Sequence, residues 1–130
     1  MVAQVRPQKV QSYEDLIVWQ RAMDLVDEAY RLARKFPRSE LFALKSQLTR
    51  AAVSVPANIA EGQGRGTMRD FANFLANAKG SLYEVGTHLH VAVRQGYIAR
   101  EDADRAFALG VEISKMLTSL RKRIVQAKAQ

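Results

Sequence analysis

The stretch SVPANIAEGQGRG, residues 54–66, decides the fold, because it places polar side chains at helical spacing directly before three closely spaced glycines. A phosphate loop of the Walker type needs Gly-x-x-x-x-Gly-Lys-Ser/Thr after a strand, and a dinucleotide loop needs a βαβ unit. The sequence offers neither context. We therefore interpret the stretch as a helix end and a turn, with Gly62 in the left-handed conformation that stops the helix and Thr67 as the cap of the next helix.

Apolar residues recur at steps of three and four on both sides of this turn, which is the spacing of one helical face. The pattern predicts helices at about 13–36, 39–61, 67–95 and 100–126, with a capping box at Ser12 and Asp15 and an N-cap at Ser39. No segment has the period of two that is typical of a strand. We expect an all-α fold, an antiparallel up-down-up-down four-helix bundle of left-handed sense over 13–127, after a flexible basic tail at 1–12.

The apolar residues of the first helix suggest two possible faces. The predicted core line of that helix comprises Leu16, Trp19, Met23, Val26, Tyr30 and Ala33. A second set of apolar residues lies off the four predicted core lines and consists of Ile17, Val18, Phe42, Phe74 and Phe107. Because a monomeric bundle needs one buried stripe per helix, the second set predicts contacts between subunits.

Composition excludes several classes of protein. The chain has 130 residues, 48% of them hydrophobic, which suits one domain with a real core. It has no cysteine and two histidines, so we expect no disulfides, no metal site and no cofactor. The first residues lack the apolar centre of a signal peptide, and no apolar run approaches the roughly 18 residues of a membrane span. We expect a cytoplasmic protein without a membrane segment.

The charge balance favours an anionic partner. Lys and Arg number 20 against 13 Asp and Glu, a formal net charge of +7. Such a balance attracts polyanions such as RNA or DNA, or acidic protein surfaces. The predicted nucleic-acid-binding residues are Arg65 and Arg69, at the positive end of the third helix, and Arg121, Lys122 and Arg123 near the end of the fourth.

Polar residues beside the core lines have two interpretations. Asn58 and Glu61 share a face of the second helix, and Ser81, Glu84 and His88 share a face of the third. Buried polar groups need partners, so these residues predict a hydrogen-bond network between helices. The alternative is acid–base chemistry by Glu61 and Glu84, but the sequence offers no nucleophile or metal partner beside them. We favour the structural interpretation and expect no catalytic activity.

Four stretches together resemble a known family. They are YEDLIVWQRAMDLVDEAY, FPRSELFALKSQLTRAAVSVPANIAEGQGRG, FANFLANAKGSLYEVGTHLHVAVRQGYI and ISKML. They are similar to the bacterial four helix bundle protein family, which is encoded by intervening sequences in 23S ribosomal RNA genes and by other loci. The accessory protein of diversity-generating retroelements, which works with a reverse transcriptase, is similar in fold. The residues that match the family motif are Ser54, Pro56, Asn58, Glu61, Gly62, Gly80, Ser81 and Glu84.

The resemblance implies an antiparallel four-helix bundle that assembles as a ring-shaped homopentamer, without an established enzymatic activity. Val85-Gly86 departs from the Leu-Glu expected after the Ser-Leu-x-Glu motif and puts a glycine inside the third helix, where we expect a close neighbour such as another subunit. We expect a non-catalytic oligomer that associates with nucleic acid through repeated basic patches. The alternative is an interaction scaffold or accessory subunit that docks an acidic partner such as a reverse transcriptase.

Overall fold

The computed structural model of the protein describes residues 12–129, with side chains as far as 127. The predicted flexible tail at 1–12 lies outside the described residues except for Ser12. The four α-helices are α1 (Ile17–Ala33), α2 (Leu44–Gly64), α3 (Met68–Arg94) and α4 (Asp104–Ala129). Short 3-10 turns at Tyr13–Asp15, Arg38–Glu40 and Arg100–Ala103 precede α1, α2 and α4. Within 12–129 there is no strand, and the all-α prediction is confirmed.

The first helix begins four residues later than predicted. Ser12 and Asp15 do form a capping box, in which the Ser12 N–H donates to Asp15 Oδ2 (3.2 Å) and the Glu14 N–H donates to Ser12 Oγ (3.1 Å). This box caps the 3-10 turn, because Leu16 is extended (φ −78°, ψ 125°) and separates the turn from α1.

The second helix also begins later than predicted, and Ser39 is not its cap. Residues 38–40 form a 3-10 turn, and α2 starts at Leu44. The capping acceptor is Glu40, whose Oε1 accepts from the Leu44 N–H (3.1 Å) while its Oε2 accepts from the Tyr97 hydroxyl (2.9 Å). The Glu40 carboxylate thus pairs with a backbone N–H at the start of α2 that has no partner within the helix. It also ties the turn between α1 and α2 to the chain beyond α3.

The sequence pattern predicted that Gly62 stops the second helix, and this prediction is wrong. The helix continues to Gly64, and the positive backbone angle of the turn falls at Gly66 (φ 87°). Gly62 is instead buried against α3, where an added Cβ would lie 2.6 Å from Phe74 Cβ and 3.2 Å from Phe71 Cδ1. The predicted cap of α3 is present, since Thr67 Oγ1 accepts from the Asp70 N–H at 3.1 Å.

Substituting Gly62 by alanine is expected to destabilise the fold by about 1–3 kcal/mol, because the new methyl group overpacks a contact with the base of the Phe74 side chain. Gly80→Ala is the matched control. It lies inside α3, and no described atom comes within 4 Å of its added Cβ, so it should stabilise the protein by up to about 1 kcal/mol. Urea unfolding followed by circular dichroism measures both; a Gly62→Ala protein as stable as wild type contradicts the assigned role.

The core is narrow and contains many alanines. Its largest fully buried side chains are Leu25, Leu32, Leu48, Ile59, Leu75, Leu89, Ile113, Leu117, Val55 and Val85. Alanines fill the levels between them, with Ala22, Ala29, Ala52, Ala78, Ala92 and Ala103 fully buried. Small side chains at the contacts between helices let the helix axes approach closely.

The predicted core face of α1 is right only in part. The buried line comprises Val18, Ala22, Leu25, Ala29 and Leu32, together with Ala33 of the predicted line. Leu16, Trp19 and Val26 of the predicted line are partly buried against this core, whereas Met23 and Tyr30 are 38% and 43% exposed. The sequence signal was misleading because two of the true core residues are alanines, while larger apolar side chains lie on the neighbouring stripe. Val18 is therefore a core residue and not a subunit contact.

Cross-helix contacts fix the direction of several helix pairs. In each of three helix pairs, the residue numbers of the contacts rise along one helix as they fall along the other. Helices α1 and α4 meet at Arg21–Glu112 and Glu28–Arg105, and α3 and α4 meet at Ala72–Arg121 and Lys79–Thr118. Helices α2 and α3 meet at Ser54–Ser81 and Gly62–Phe74. These pairs are antiparallel. The full up-down-up-down order and the left-handed sense remain predictions.

None of the described helices combines the length and apolar content that a membrane crossing requires.

Candidate nucleic-acid interface

The motif residues of α2 and α3 meet in a small polar cluster. Ser54 Oγ and Ser81 Oγ are 2.8 Å apart, and the Asn58 amide donates to Ser54 O (2.8 Å) and to Ser54 Oγ (2.9 Å). All three side chains are partly buried, and hydrogen bonds satisfy them between two otherwise apolar helix faces. The cluster therefore fixes the alignment of α2 and α3.

Removing either hydroxyl of this cluster should cost about 1 kcal/mol of stability, with Ser54→Ala the more costly because Ser54 Oγ also accepts from Asn58. Ser54→Ala and Ser81→Ala remove the same bond, so the double variant should lose less stability than the sum of the two single variants. Chemical denaturation of the four proteins gives the coupling. Strict additivity would show that the two hydroxyls do not interact.

The two glutamates of the motif lie outside this cluster and apart from each other. Glu61 Oε2 pairs with Arg65 at 2.8 Å on the surface of α2, and Glu84 is exposed on α3. Gly62 packs at the level of Phe74, ten residues before Glu84 along α3, which corresponds to about 15 Å of helix rise. The arrangement does not form the acid–base pair considered from the sequence.

The histidines do not form a metal site. His90 stacks on Phe107 of α4, with ring centroids 4.6 Å apart, and His88 is half-buried on another side of α3. Among the residues that the structure describes, no group of three or more His, Asp and Glu side chains could hold a metal ion.

Arg65 lies at the C-terminal end of α2, where the chain turns into α3. Its guanidinium pairs with Glu61 and lies 4.9 Å from the centroid of the Phe74 ring. The hydrogen bond that the Arg65 guanidinium donates to Glu61 raises the pKa of Arg65, and desolvation opposes this only in part, so the side chain stays charged. Because both partners are about half exposed, a phosphate group can compete with the carboxylate for Arg65.

The three consecutive basic residues of α4 do not form one patch. Successive helical residues point about 100° apart, and the structure shows the consequence. Arg121 Nε donates to the Ala72 carbonyl of α3 (3.1 Å), whereas Arg123 lines a cavity beside the start of α1. Arg121 and Lys122 line a different cavity of about 530 Å³ between α3 and α4.

The structure brings most of the predicted basic residues to one end of the bundle. The bond from Arg121 to Ala72 holds the last turns of α4 against the first turns of α3. Arg69, exposed in the first turn of α3, stands one helical turn before Ala72, and Arg65 lies in the preceding turn of chain. Residues that are more than fifty positions apart in the sequence thus come to the same end of the bundle.

Sequence reasoning missed Lys79 and Tyr83. Lys79 Nζ donates to Thr118 Oγ1 (2.8 Å) and lies 5.9 Å from the Tyr83 ring centroid, and both residues line the cavity with Arg121. Lys79 follows Ala72 by seven residues and shares its helical face, so the spacing in the sequence already places the two residues together. Placing Lys79 near Arg121 also requires the pairing of α3 with α4, which the sequence alone does not supply. We call Arg65, Arg69, Lys79, Arg121 and Lys122 the basic surface.

Comparison with known families identifies the chain. Residues 14–119 match the model of the 23S rRNA-intervening sequence proteins. The chain belongs to this family. The resemblance seen in the motif residues is thereby confirmed. The matched region contains the polar cluster, Arg65, Arg69 and Lys79, but ends before Arg121, so the last basic residues of α4 lie beyond what the family model describes.

A solved structure supports the same assignment. The crystal structure, at 1.70 Å resolution, of a protein of unknown function from Bacteroides thetaiotaomicron is described as that of an S23 ribosomal protein family member. It is 26% identical to this chain with a TM-score of 0.74, and the match covers 81% of this chain and 98% of that chain. A comparison with curated proteins finds no match.

Proposed function

We propose that this member of the 23S rRNA-intervening sequence protein family is a non-catalytic, cytoplasmic oligomer that associates with RNA or DNA through its basic surface. The observation that carries the proposal is the convergence of Arg65, Arg69, Arg121 and Lys122 at one end of the bundle, with Lys79 continuing the charge along the groove between α3 and α4. The chain's +7 formal charge agrees with an anionic partner.

The chemistry of the basic surface favours phosphate contacts over the reading of bases. Its cationic side chains are long and mostly exposed, as in proteins that bind nucleic acid by releasing counterions. Tyr83, 59% exposed beside Lys79, supplies one ring on which an unpaired base could stack. We therefore propose binding with little sequence preference.

Oligomerisation would multiply a weak site. A homopentamer, which the family resemblance implies, would carry +35, five times the charge of one chain. Cyclic symmetry places equivalent side chains on a common circle, so several copies of the basic surface could engage one polymer. Linked weak sites gain affinity by effective concentration without any new contact.

Fluorescence anisotropy with labelled RNA, single-stranded DNA and duplex DNA tests the proposal directly. At about 50 mM salt we expect saturable binding to all three, with loss of affinity by orders of magnitude at about 200 mM. Light scattering of the same samples gives the mass of the assembly. Absence of binding at the lower salt would overturn nucleic-acid association and favour the second candidate, a scaffold whose basic surface docks an acidic protein.

A further inference from the structure

Phe42 is the most exposed large apolar side chain among the described residues. It is 93% exposed, in the turn between α1 and α2, and unlike the exposed tyrosines it has no hydroxyl to hydrate. The turn is held in place, because the Leu41 N–H bonds to Arg38 O (3.1 Å), the Ala43 N–H bonds to Glu40 O (3.1 Å), and Glu40 is itself fixed by Tyr97. A phenyl ring that projects from a fixed turn has nearly its whole apolar surface available for burial by another surface, and such burial is favourable.

A groove of about 520 Å³ lies between α3 and α4 in the part of the bundle nearer to Tyr97. Its apolar floor includes Leu25, Leu82 and Leu89, and its sides include Gly86 and Gly110. Both glycines lie inside helices, where glycine is less stable than alanine. Within the described chain, no atom lies within 4 Å of a Cβ added to either one, so packing inside one subunit does not explain them. A close approach by another molecule would explain them.

The positions of Phe42 and the groove fit a contact between copies of this chain. Consecutive helices are neighbours and α1 also contacts α4, so the turn between α1 and α2 lies on the side of the bundle opposite to the α3–α4 groove. A subunit therefore cannot fill its own groove. The Glu40–Tyr97 bond places the turn at the end of the bundle where α3 finishes, the same half as the groove. Subunits related by rotation about an axis along the bundle meet at matching heights.

We infer that Phe42 of one subunit inserts into the groove between α3 and α4 of a second copy, with Gly86 and Gly110 admitting the ring. The contact is head-to-tail, since each subunit contributes a different surface to each of its two interfaces, and such contacts close into a ring when the rotation permits. Phe42 is the anchor and not the whole interface, because one aromatic side chain buries about 150–250 Å² and a stable interface needs about 1,000 Å² in total. Val111, which is 57% exposed, flanks the groove and extends the contact.

Two variants separate the two halves of this contact. Phe42→Ser removes the projecting ring and leaves the groove intact. Gly110→Leu fills the groove and leaves the ring intact, and the Cβ added at this position meets no described atom within 4 Å. Both should keep the helical circular dichroism spectrum of wild type, because neither residue supports the core of one subunit. Met68→Ser, a change of an exposed residue (51%) at the other end of the bundle, is the control and should stay oligomeric.

The inference rests on the oligomerisation proposed above, and light scattering distinguishes the two. Wild type should be oligomeric, and each variant alone should be monomeric. An equimolar mixture of Phe42→Ser and Gly110→Leu should form a heterodimer, because the intact ring of the Gly110→Leu protein can enter the intact groove of the Phe42→Ser protein. A monomeric wild type at micromolar concentration overturns oligomerisation itself. An oligomeric wild type whose two variants remain oligomeric, or whose monomeric variants do not pair when mixed, overturns only the insertion of Phe42.

Discussion

Neutralising the basic surface is expected to abolish measurable nucleic-acid binding at about 200 mM salt and to weaken it by at least about 100-fold at about 50 mM. The variant replaces Arg65, Arg69, Lys79, Arg121 and Lys122 by glutamine, which keeps a flexible polar side chain at each position while removing its charge. Each phosphate that a cationic side chain neutralises releases counterions, and in the proposed function five such contacts per subunit, repeated in an oligomer, would account for the affinity. Anisotropy titration with a labelled duplex measures the change.

The far end of the bundle supplies a control with the same change of net charge. Exposed basic residues there are Arg34, Lys35, Arg38, Arg94 and Arg100. Their replacement by glutamine should reduce affinity less than tenfold, because it weakens the long-range attraction and removes no phosphate contact. Equal losses in the two variants would show that net charge, and not the placement of these side chains, governs binding.

The largest effect on stability is expected for Leu48→Ala, which should lower the free energy of unfolding by about 2–5 kcal/mol. Leu48 is fully buried in α2, and truncation removes apolar burial and leaves a cavity that the narrow core cannot fill. Domains of this size have total stabilities of about 5–15 kcal/mol, so the loss is a large share of the total.

Leu41→Ala is the matched control for Leu48→Ala, since the same atoms are removed from a side chain that is 42% exposed. It should change stability by no more than about 0.5 kcal/mol. Thermal or urea unfolding at one protein concentration compares the two. A small effect at Leu48 would mean that the core is not packed as described.

The apolar period predicted four helices, and the quoted motif predicted the family, because both signals are local in the sequence. The helix starts were less predictable. Ser39 had the right chemistry for a cap, but Glu40 prevailed because its carboxylate also bonds to Tyr97, 57 residues away. Gly62 had the sequence of a helix stop, yet its role is set by Phe74 on the next helix. Both outcomes depend on contacts between helices.

The candidate site was predicted only in part, because some of its residues are marked by local sequence and others by contacts between helices. Arg65 and Arg69 were found from their place beside the turn before the third helix, which a sequence displays directly, although the structure puts Arg65 at the end of α2 and only Arg69 in the first turn of α3. Lys79 was missed because its importance depends on the pairing of α3 with α4. Arg123 was grouped with Arg121 by adjacency in the sequence, whereas the helix turns it toward α1; its contact with nucleic acid stays a prediction.

The slope of log affinity against log salt concentration tests the central claim most directly, since it counts the phosphates that the protein neutralises. For duplex DNA between about 50 and 200 mM salt, each contact contributes about 0.9 to the slope, so the five residues of the basic surface should account for about 4.5 per engaged subunit. We predict a steep slope for wild type and the far-end variant and a shallow one for the basic-surface variant. A wild-type slope near zero, or one unchanged in the basic-surface variant, would contradict the account.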